Sequence, residues 1–445
     1  MQKKTRLIIL LVCVVCFFSI APILVAYSMG YRFDFENKKI VATGGIYVRT
    51  FPAAGKIIID SGVSQKPGLF ANSIFVQSLL PKNHTVAIEK TGYYGYSKTL
   101  AVQENQVTKL ENVLLIKNNI AFSNLADKID YFSVSPNNQN IIGAISGNKI
   151  INFSYFSINS ASSAKIFSIS QTGKVSEIKW SGDSSKALIK IENSGNIFYY
   201  FFDGALQKPS AARLSYLDKN SQQISFNPQN PSALFFIKNN TLYSASGNSA
   251  LPIINNIISY KISGANIIWL SAKGSLSSAD LLGKTVSKIS LKDYPVNSKK
   301  AYEITSILSD TFLKEDSSLF KLNPNTKTFE SFTIPKILNY KILSSPDNKN
   351  LIYWSVDNIY LYSFENEKFS EIFSGNKIAN LQWLNNDYII FNSEEKIIIS
   401  EIDYRGNVNT VTLPQTATNM FLNQQTEKLY VLSGNSLLVS EKITP

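Results

Sequence analysis

The chain has 445 residues, 44% of them apolar and 12% aromatic with only 17% charged, which excludes intrinsic disorder and gives room for two or three domains. A single histidine, His84, and two cysteines, Cys13 and Cys16, exclude a His–Cys zinc cluster and a two-histidine metal site, and leave little material for a Ser-His-Asp or Cys-His nucleophile, so no metal and no cofactor is expected. The net charge of +12 is uneven: residues 1–117 carry 14 Lys/Arg against 6 Asp/Glu and the remaining 328 carry 30 against 26, with no basic block of the kind nucleic-acid readers use.

Lys3, Lys4 and Arg6 precede an uncharged, mostly apolar stretch, residues 7–31, whose 25 residues make a helix of about 37 Å, enough to cross a ~30 Å hydrocarbon core. The positive-inside rule then gives a cytoplasmic stub over 1–6, a transmembrane signal anchor over 7–31, and the bulk of the chain on the outer side of the cell membrane. A cleaved signal peptide has a shorter apolar region and ends in a small-x-small site. Here Ser19-Ile20-Ala21 runs straight into Pro22, and Leu24-Val25-Ala26 opens on a bulky residue. Cys13 and Cys16 lie inside the apolar run and read as small hydrophobes rather than a redox pair. The outer portion has no cysteine, which suits a bacterial envelope protein stabilised by its core.

Residues 43–116 read as about six short strands of a small antiparallel β-sandwich: Ile46-Tyr47-Val48-Arg49-Thr50, Lys56-Ile57-Ile58-Ile59-Asp60, Thr85-Val86-Ala87-Ile88-Glu89, a strand from Tyr96 and another from Val107, with turns at Pro52-Ala53-Ala54-Gly55 and Thr91-Gly92-Tyr93. The order of these segments resembles a PEGA domain. Pro52 matches the motif's proline, Ala53-Ala54-Gly55 stand in place of its Glu-Gly-Ala, and Gly92 and Tyr93 lie in the later turn. The resemblance implies a β-sandwich of surface and envelope proteins used for interaction or spacing. Tyr93, Tyr94 and Tyr96 read as strand formers, and His84, at a strand start, as structural.

Residues 118–445 repeat a phrase: an alternating strand, a polar turn, then a second apolar strand. It is clearest at Ser135-Pro136, Gly182-Asp183, Asn227-Pro228 and Ser345-Pro346-Asp347, with looser copies near 263, 309, 385 and 423. Spacings of 36 to 46 residues match the period of a four-stranded propeller blade, ~40–45 residues. Eight blades are expected, or seven if the weakest copy is a long loop. The turns resemble those of TolB-like propellers, which carry Ser-Pro-Asp-Gly here; the Gly-His and Trp-Asp pairs of the WD-repeat propellers are absent.

The sequence has no Gly-x-Ser-x-Gly elbow, and Ser345-Pro346-Asp347 continues into Lys349 and Trp354 rather than a sialidase repeat. Only carboxylate-based glycoside hydrolysis fits this composition among enzymes, with Asp183, Asp347, Asp387 and Asp403 as candidates. The expectation is a mainly β, non-catalytic envelope protein that binds or scaffolds at the cell surface, with an envelope protein or a cell-wall glycan as partner; the alternative is a propeller glycan hydrolase.

Overall fold

The computed structural model describes residues 3–60, 62–65, 67, 72–158, 165–335, 337 and 339–444. The chain forms two compact units. One holds residues up to 121 together with 399–412 and the C-terminal residues from 442; the other holds 122–398 and 413–441. The first unit thus takes in a segment from late in the chain beside the residues around the expected sandwich, 43–116.

In the first unit, helix α1 (Lys3–Ser28) is apolar on every side and exposed along the stretch that is long and apolar enough to cross a membrane, Thr5–Ser28. Both a membrane anchor and a signal sequence satisfy that description. The helix stops at Ser28 rather than at residue 31: Gly30 takes φ +88°, and Arg32 donates from Nη1 to the Tyr27 carbonyl (2.7 Å), so Tyr31 opens a strand. That strand, β1 (Tyr31–Asp34), forms a hairpin with β2 (Lys39–Ala42) that the sequence reading did not contain.

Seven strands follow: β3 (Gly44–Phe51), β4 (Lys56–Ile59), β5 (Val63–Gln65), β6 (Ser73–Leu79), β7 (Asn83–Glu89), β8 (Tyr96–Ala101) and β9 (Val107–Leu114). They make two sheets, ordered β6-β3-β9 and β5-β4-β7-β8. Period-two alternation supplies the core between them: Ile46 and Val48 from β3, Ile57 and Ile59 from β4, Val86 and Ile88 from β7, all at most 2% exposed. The sandwich is not wholly antiparallel. Having left the other sheet at β8, the chain returns so that β9 runs parallel to β3. The two turns expected from the sequence are neighbours: Gly55 donates its N–H to the Glu89 carbonyl (3.0 Å), and the Lys90 ammonium donates to the Ala53 carbonyl (2.7 Å). Gly92 takes φ +83°, and Tyr93 packs against the core.

Eight four-stranded antiparallel sheets form a ring, drawn from the second unit except for the parts of the last two sheets that fall in 399–412 and at 442, which group with the first. Seven are simple meanders spanning residues 131–169, 174–213, 222–255, 257–288, 302–332, 341–374 and 379–416, blades 1 to 7. Blade 8 joins three strands from 419–442 with Phe122–Asp127, so the first strand of the unit pairs with its last. A blade cannot bury both faces alone, so cores form between neighbours. Ile189 and Phe202 of blade 2 pack with Phe153 of blade 1, and Leu437 of blade 8 with Phe132 of blade 1. First strands also bond around the ring: Trp180 Nε1 donates to Ser133 Oγ (3.0 Å), the Ile304 amide to Ser259 Oγ (2.9 Å), and Asn419 Nδ2 to the Phe132 carbonyl (3.2 Å).

Candidate binding surfaces

The eight repeated turn positions all lie between the first and second strands of a blade. In three of them the same side chains build the turn. Ser135, Ser181 and Ser345 are buried and donate to Asn137, Asp183 and Asp347 respectively (2.6 to 2.7 Å), each serine oxygen also accepting the amide five residues on. Residues Asn138, Ser184 and Asn348 sit at positive φ, which Asn tolerates and which Gly occupies in the more familiar turn. Pro136, Gly182 and Pro346 follow the serine and shape the bend. Asn227, next to Pro228, does the equivalent work in blade 3 by accepting the Gln229 amide (2.9 Å).

This geometry answers the hydrolase expectation in part. Asp183 and Asp347 are occupied within their own turns. Burial alone pushes each carboxyl up, but the Ser181 and Ser185 hydroxyls around Asp183, and the Ser345 hydroxyl with the Lys349 amide around Asp347, outweigh it and hold both below the usual value. Asp403 belongs to the other unit. Among the described residues no three His, Cys, Asp or Glu side chains converge as metal ligands.

What the propeller does present is two cavities that the sequence did not reveal. One, of about 670 Å³, is lined mainly by first strands of blades 2 to 5, with Leu188, Lys190 and Tyr199 from the next two strands of blade 2, and contains Glu177 and Glu303 among Lys179, Lys190 and Lys261. Lys190 is engaged by Glu192 (2.7 Å) and Lys179 donates to the Ile224 carbonyl (2.6 Å), while burial lowers the pKa of Lys261. The other, of about 1190 Å³, has Lys219, Lys299 and Lys300 on its wall with side-chain amides from Asn220, Gln222 and Asn239, and no carboxylate lines it. Lys300 is paired with Glu315 (3.1 Å), so Lys219 and Lys299 carry the unneutralised charge. Gln223 lies at φ +50° in a bulge between the two cavities and ties three blades together: its Oε1 accepts the Tyr260 amide (3.0 Å) and its Nε2 donates to the Tyr302 carbonyl (3.1 Å). Lys219 and Lys299 are 80 residues apart, and only the ring brings them together.

In the first unit His84 is buried, with Nδ1 2.5 Å from Asp60 Oδ2 and Nε2 2.8 Å from the Leu80 carbonyl, a structural arrangement. Lys98, with no local signature of a site, is fully buried against Glu401 (2.6 Å). Its signal is strand phase: Tyr96, Lys98 and Leu100 share the inward phase of β8, and a lysine there requires a counter-charge.

Fold and surfaces define the class: an eight-bladed β-propeller with an N-terminal apolar helix and a β-sandwich in the same chain. No protein-family model and no curated protein matches the sequence. Solved structures to which it is similar include BamB from Moraxella catarrhalis, at 12% identity over 72% of this chain and 98% of that one with a TM-score of 0.45. They also include Saccharomyces cerevisiae Sqt1, at 10% over 74% and 99% with a TM-score of 0.47, and the Dos1 propeller, at 10% over 73% and 94% with 0.45. The eight sheets and the strand that closes them define the propeller by themselves.

Proposed function

We propose that this chain is a single-pass protein of the bacterial cell envelope, with its N-terminus cytoplasmic and its β units outside, and that it works by binding rather than catalysis. In this reading the sandwich is PEGA-like, the propeller TolB-like, and the partner an envelope protein or a cell-wall glycan bearing anionic groups. The observation that carries it is the larger propeller cavity, whose unneutralised Lys219 and Lys299 stand with the side-chain amides of Asn220, Gln222 and Asn239 and with no carboxylate on the wall. The test is capture from native envelope fractions by the full chain at physiological salt. The Lys219→Glu/Lys299→Glu double variant is expected to lose the captured material, and equal capture by the variant would overturn the assignment of the cavity. Protease added to intact cells is expected to remove the β units.

One observation favours the second reading, a glycan hydrolase: Glu177 and Glu303 line the same smaller cavity. Release of reducing ends from cell-wall glycan by the wild-type chain, abolished in Glu177→Gln and in Glu303→Gln, would establish it; no release by the wild type removes it.

A further inference from the structure

Directly opposed residues in an antiparallel pair share a face, and the hairpin of β1 and β2 has two unlike faces. Arg32 opposes Val41 and Asp34 opposes Lys39 on one; Tyr31 opposes Ala42 and Phe33 opposes Ile40 on the other. The first face turns inward, since Val41 is 3% and Asp34 7% exposed. Asp34 also fixes the turn by accepting the Glu36 and Asn37 amides (3.0 and 3.2 Å). The second face is open except at Ala42, which is 6% exposed: Tyr31 is 40%, Phe33 46% and Ile40 67% exposed, and Phe35 in the turn, 82% exposed, lies edge-on to Phe33 with ring centroids 5.0 Å apart. Four large apolar side chains left to solvent within ten residues need an occupant.

The chain itself says what that occupant is. Two residues separate α1 from β1, a reach of at most about 10 Å. The junction is fastened. Arg32 Nη1 donates to the Tyr27 and Tyr31 carbonyls (2.7 and 2.8 Å), its guanidinium lies 3.5 Å from the Tyr27 ring centroid, and Thr43 donates to the Gly30 carbonyl from both N–H and Oγ1 (3.0 and 2.6 Å). The hairpin therefore stays at the end of the helix. If α1 crosses the bilayer, that end lies where hydrocarbon gives way to headgroups, the band that aromatic side chains favour and that a basic turn residue such as Lys38 matches through lipid phosphates.

We propose that this hairpin is a membrane-surface element, seating the Tyr31, Phe33, Phe35 and Ile40 face in the headgroup region of the bilayer that α1 crosses. The proposal rests on the reading of α1 as a membrane span, and the experiment separates the two. The full chain, with Cys13→Ser and Cys16→Ser, is reconstituted in vesicles of phosphatidylethanolamine and phosphatidylglycerol. It carries a nitroxide on one introduced cysteine: Val15→Cys in the helix, Phe35→Cys in the hairpin, or Asn325→Cys on the propeller. Collision with oxygen, which partitions into lipid, and with a water-soluble nickel chelate is read by power saturation. The expected result is a label at 15 reached mainly by oxygen, a label at 325 reached mainly by nickel, and a label at 35 shifted clearly from 325 towards 15. A label at 35 that behaves like 325 while 15 is deep overturns the proposal and leaves the anchor standing. Nickel access at 15 overturns the anchor, and the proposal with it. Shielding at 35 that disappears when the protein is diluted tenfold in lipid means that a second copy covers the face, and also overturns the proposal.

Discussion

Lys98 Nζ lies 2.6 Å from Glu401 Oε1, two side chains 303 positions apart and both buried in the sandwich unit. The ammonium spends its other donors on the Asp403 and Asn407 carbonyls (2.6 and 2.9 Å). Glu401 also accepts the Tyr96 hydroxyl (2.8 Å) and the backbone and side-chain N–H groups of Asn409 (2.9 and 3.0 Å). Every buried charge in this cluster is paired and hydrogen-bonded, the condition under which a buried ion pair persists. It also ties residues 399–412, which include the ends of two blade 7 strands, into the first unit.

Removing one partner strands the other. Lys98→Met is expected to leave Glu401 as an unpaired buried carboxylate and to destabilise this unit by about 3–5 kcal/mol. The readout is amide hydrogen exchange across 401–409, which is expected to accelerate sharply, with a smaller effect in Lys98→Met/Glu401→Leu, where no charge is orphaned. Exchange unchanged in the single variant would show that the pair does not hold the segment.

Much of the fold was legible because its signals are local. The blade turns repeat within a few residues, and α1 is a continuous apolar run between charged flanks. What escaped has long-range causes. The parallel β3–β9 pair joins strands some sixty residues apart, and nothing in Val107–Leu114 states a direction. The hairpin was hidden because Asp34, Glu36, Lys38 and Lys39 make its turn look like a charged linker, while Phe33, Phe35 and Ile40 face outward. Asp403-Tyr404-Arg405-Gly406 reads as an ordinary loop until Lys98 is placed against it. Likewise Asp183 and Asp347, among the aspartates singled out for hydrolysis, are turn residues, and the glutamates that do share a cavity, Glu177 and Glu303, sit on strands 126 positions apart.

The turn carboxylates set an acid limit on the propeller. Because the folded pKa values of Asp183 and Asp347 lie below the ordinary 3.8, each contributes stability that is fully present above about pH 4 and is lost as pH falls through the folded value. Thermal midpoints measured from pH 6 down to pH 2 are expected to drop on the acid side. The Asp183→Asn/Asp347→Asn double variant is expected to be less stable than wild type at pH 6 and to show a shallower drop. An unchanged slope would mean that these two groups titrate alike in folded and unfolded chains.

Gly274 tests the packing of blade 4 against the connection that follows it. Its φ is +92°, and a Cβ there would run into the Tyr294 carbonyl, whose own amide donates to the Gly274 carbonyl (2.8 Å). Gly274→Ala is expected to cost about 1–3 kcal/mol through backbone strain, more where the loop must also move. A lowered denaturation midpoint with an unchanged slope is the expected signature. Gly195→Ala serves as the control, because its φ of +80° carries similar strain but its Cβ would meet nothing within 4 Å. Equal losses in the two variants would assign the whole effect to φ.

Ring closure depends on one strand pair, and that pair can be locked. Ser123 and Val439 are directly opposed in blade 8, and opposed residues of an antiparallel pair have Cα atoms about 4.5–5.5 Å apart, inside the range a disulfide spans. In a chain carrying Cys13→Ser and Cys16→Ser, the pair Ser123→Cys/Val439→Cys is expected to oxidise without distortion and to tie nearly the whole propeller into one covalent loop. Loop-closure entropy then puts the stabilisation at about 5–6 kcal/mol, less whatever strain the bridge adds. Unfolding of the oxidised form is expected at a higher denaturant concentration than that of the reduced form. A pair shifted by one residue, Asn124→Cys/Val439→Cys, has its side chains on opposite faces of the sheet and is expected to stay reduced. Failure of the first pair to oxidise would show that the terminal strands do not meet and that the ring is held only by blade-to-blade packing.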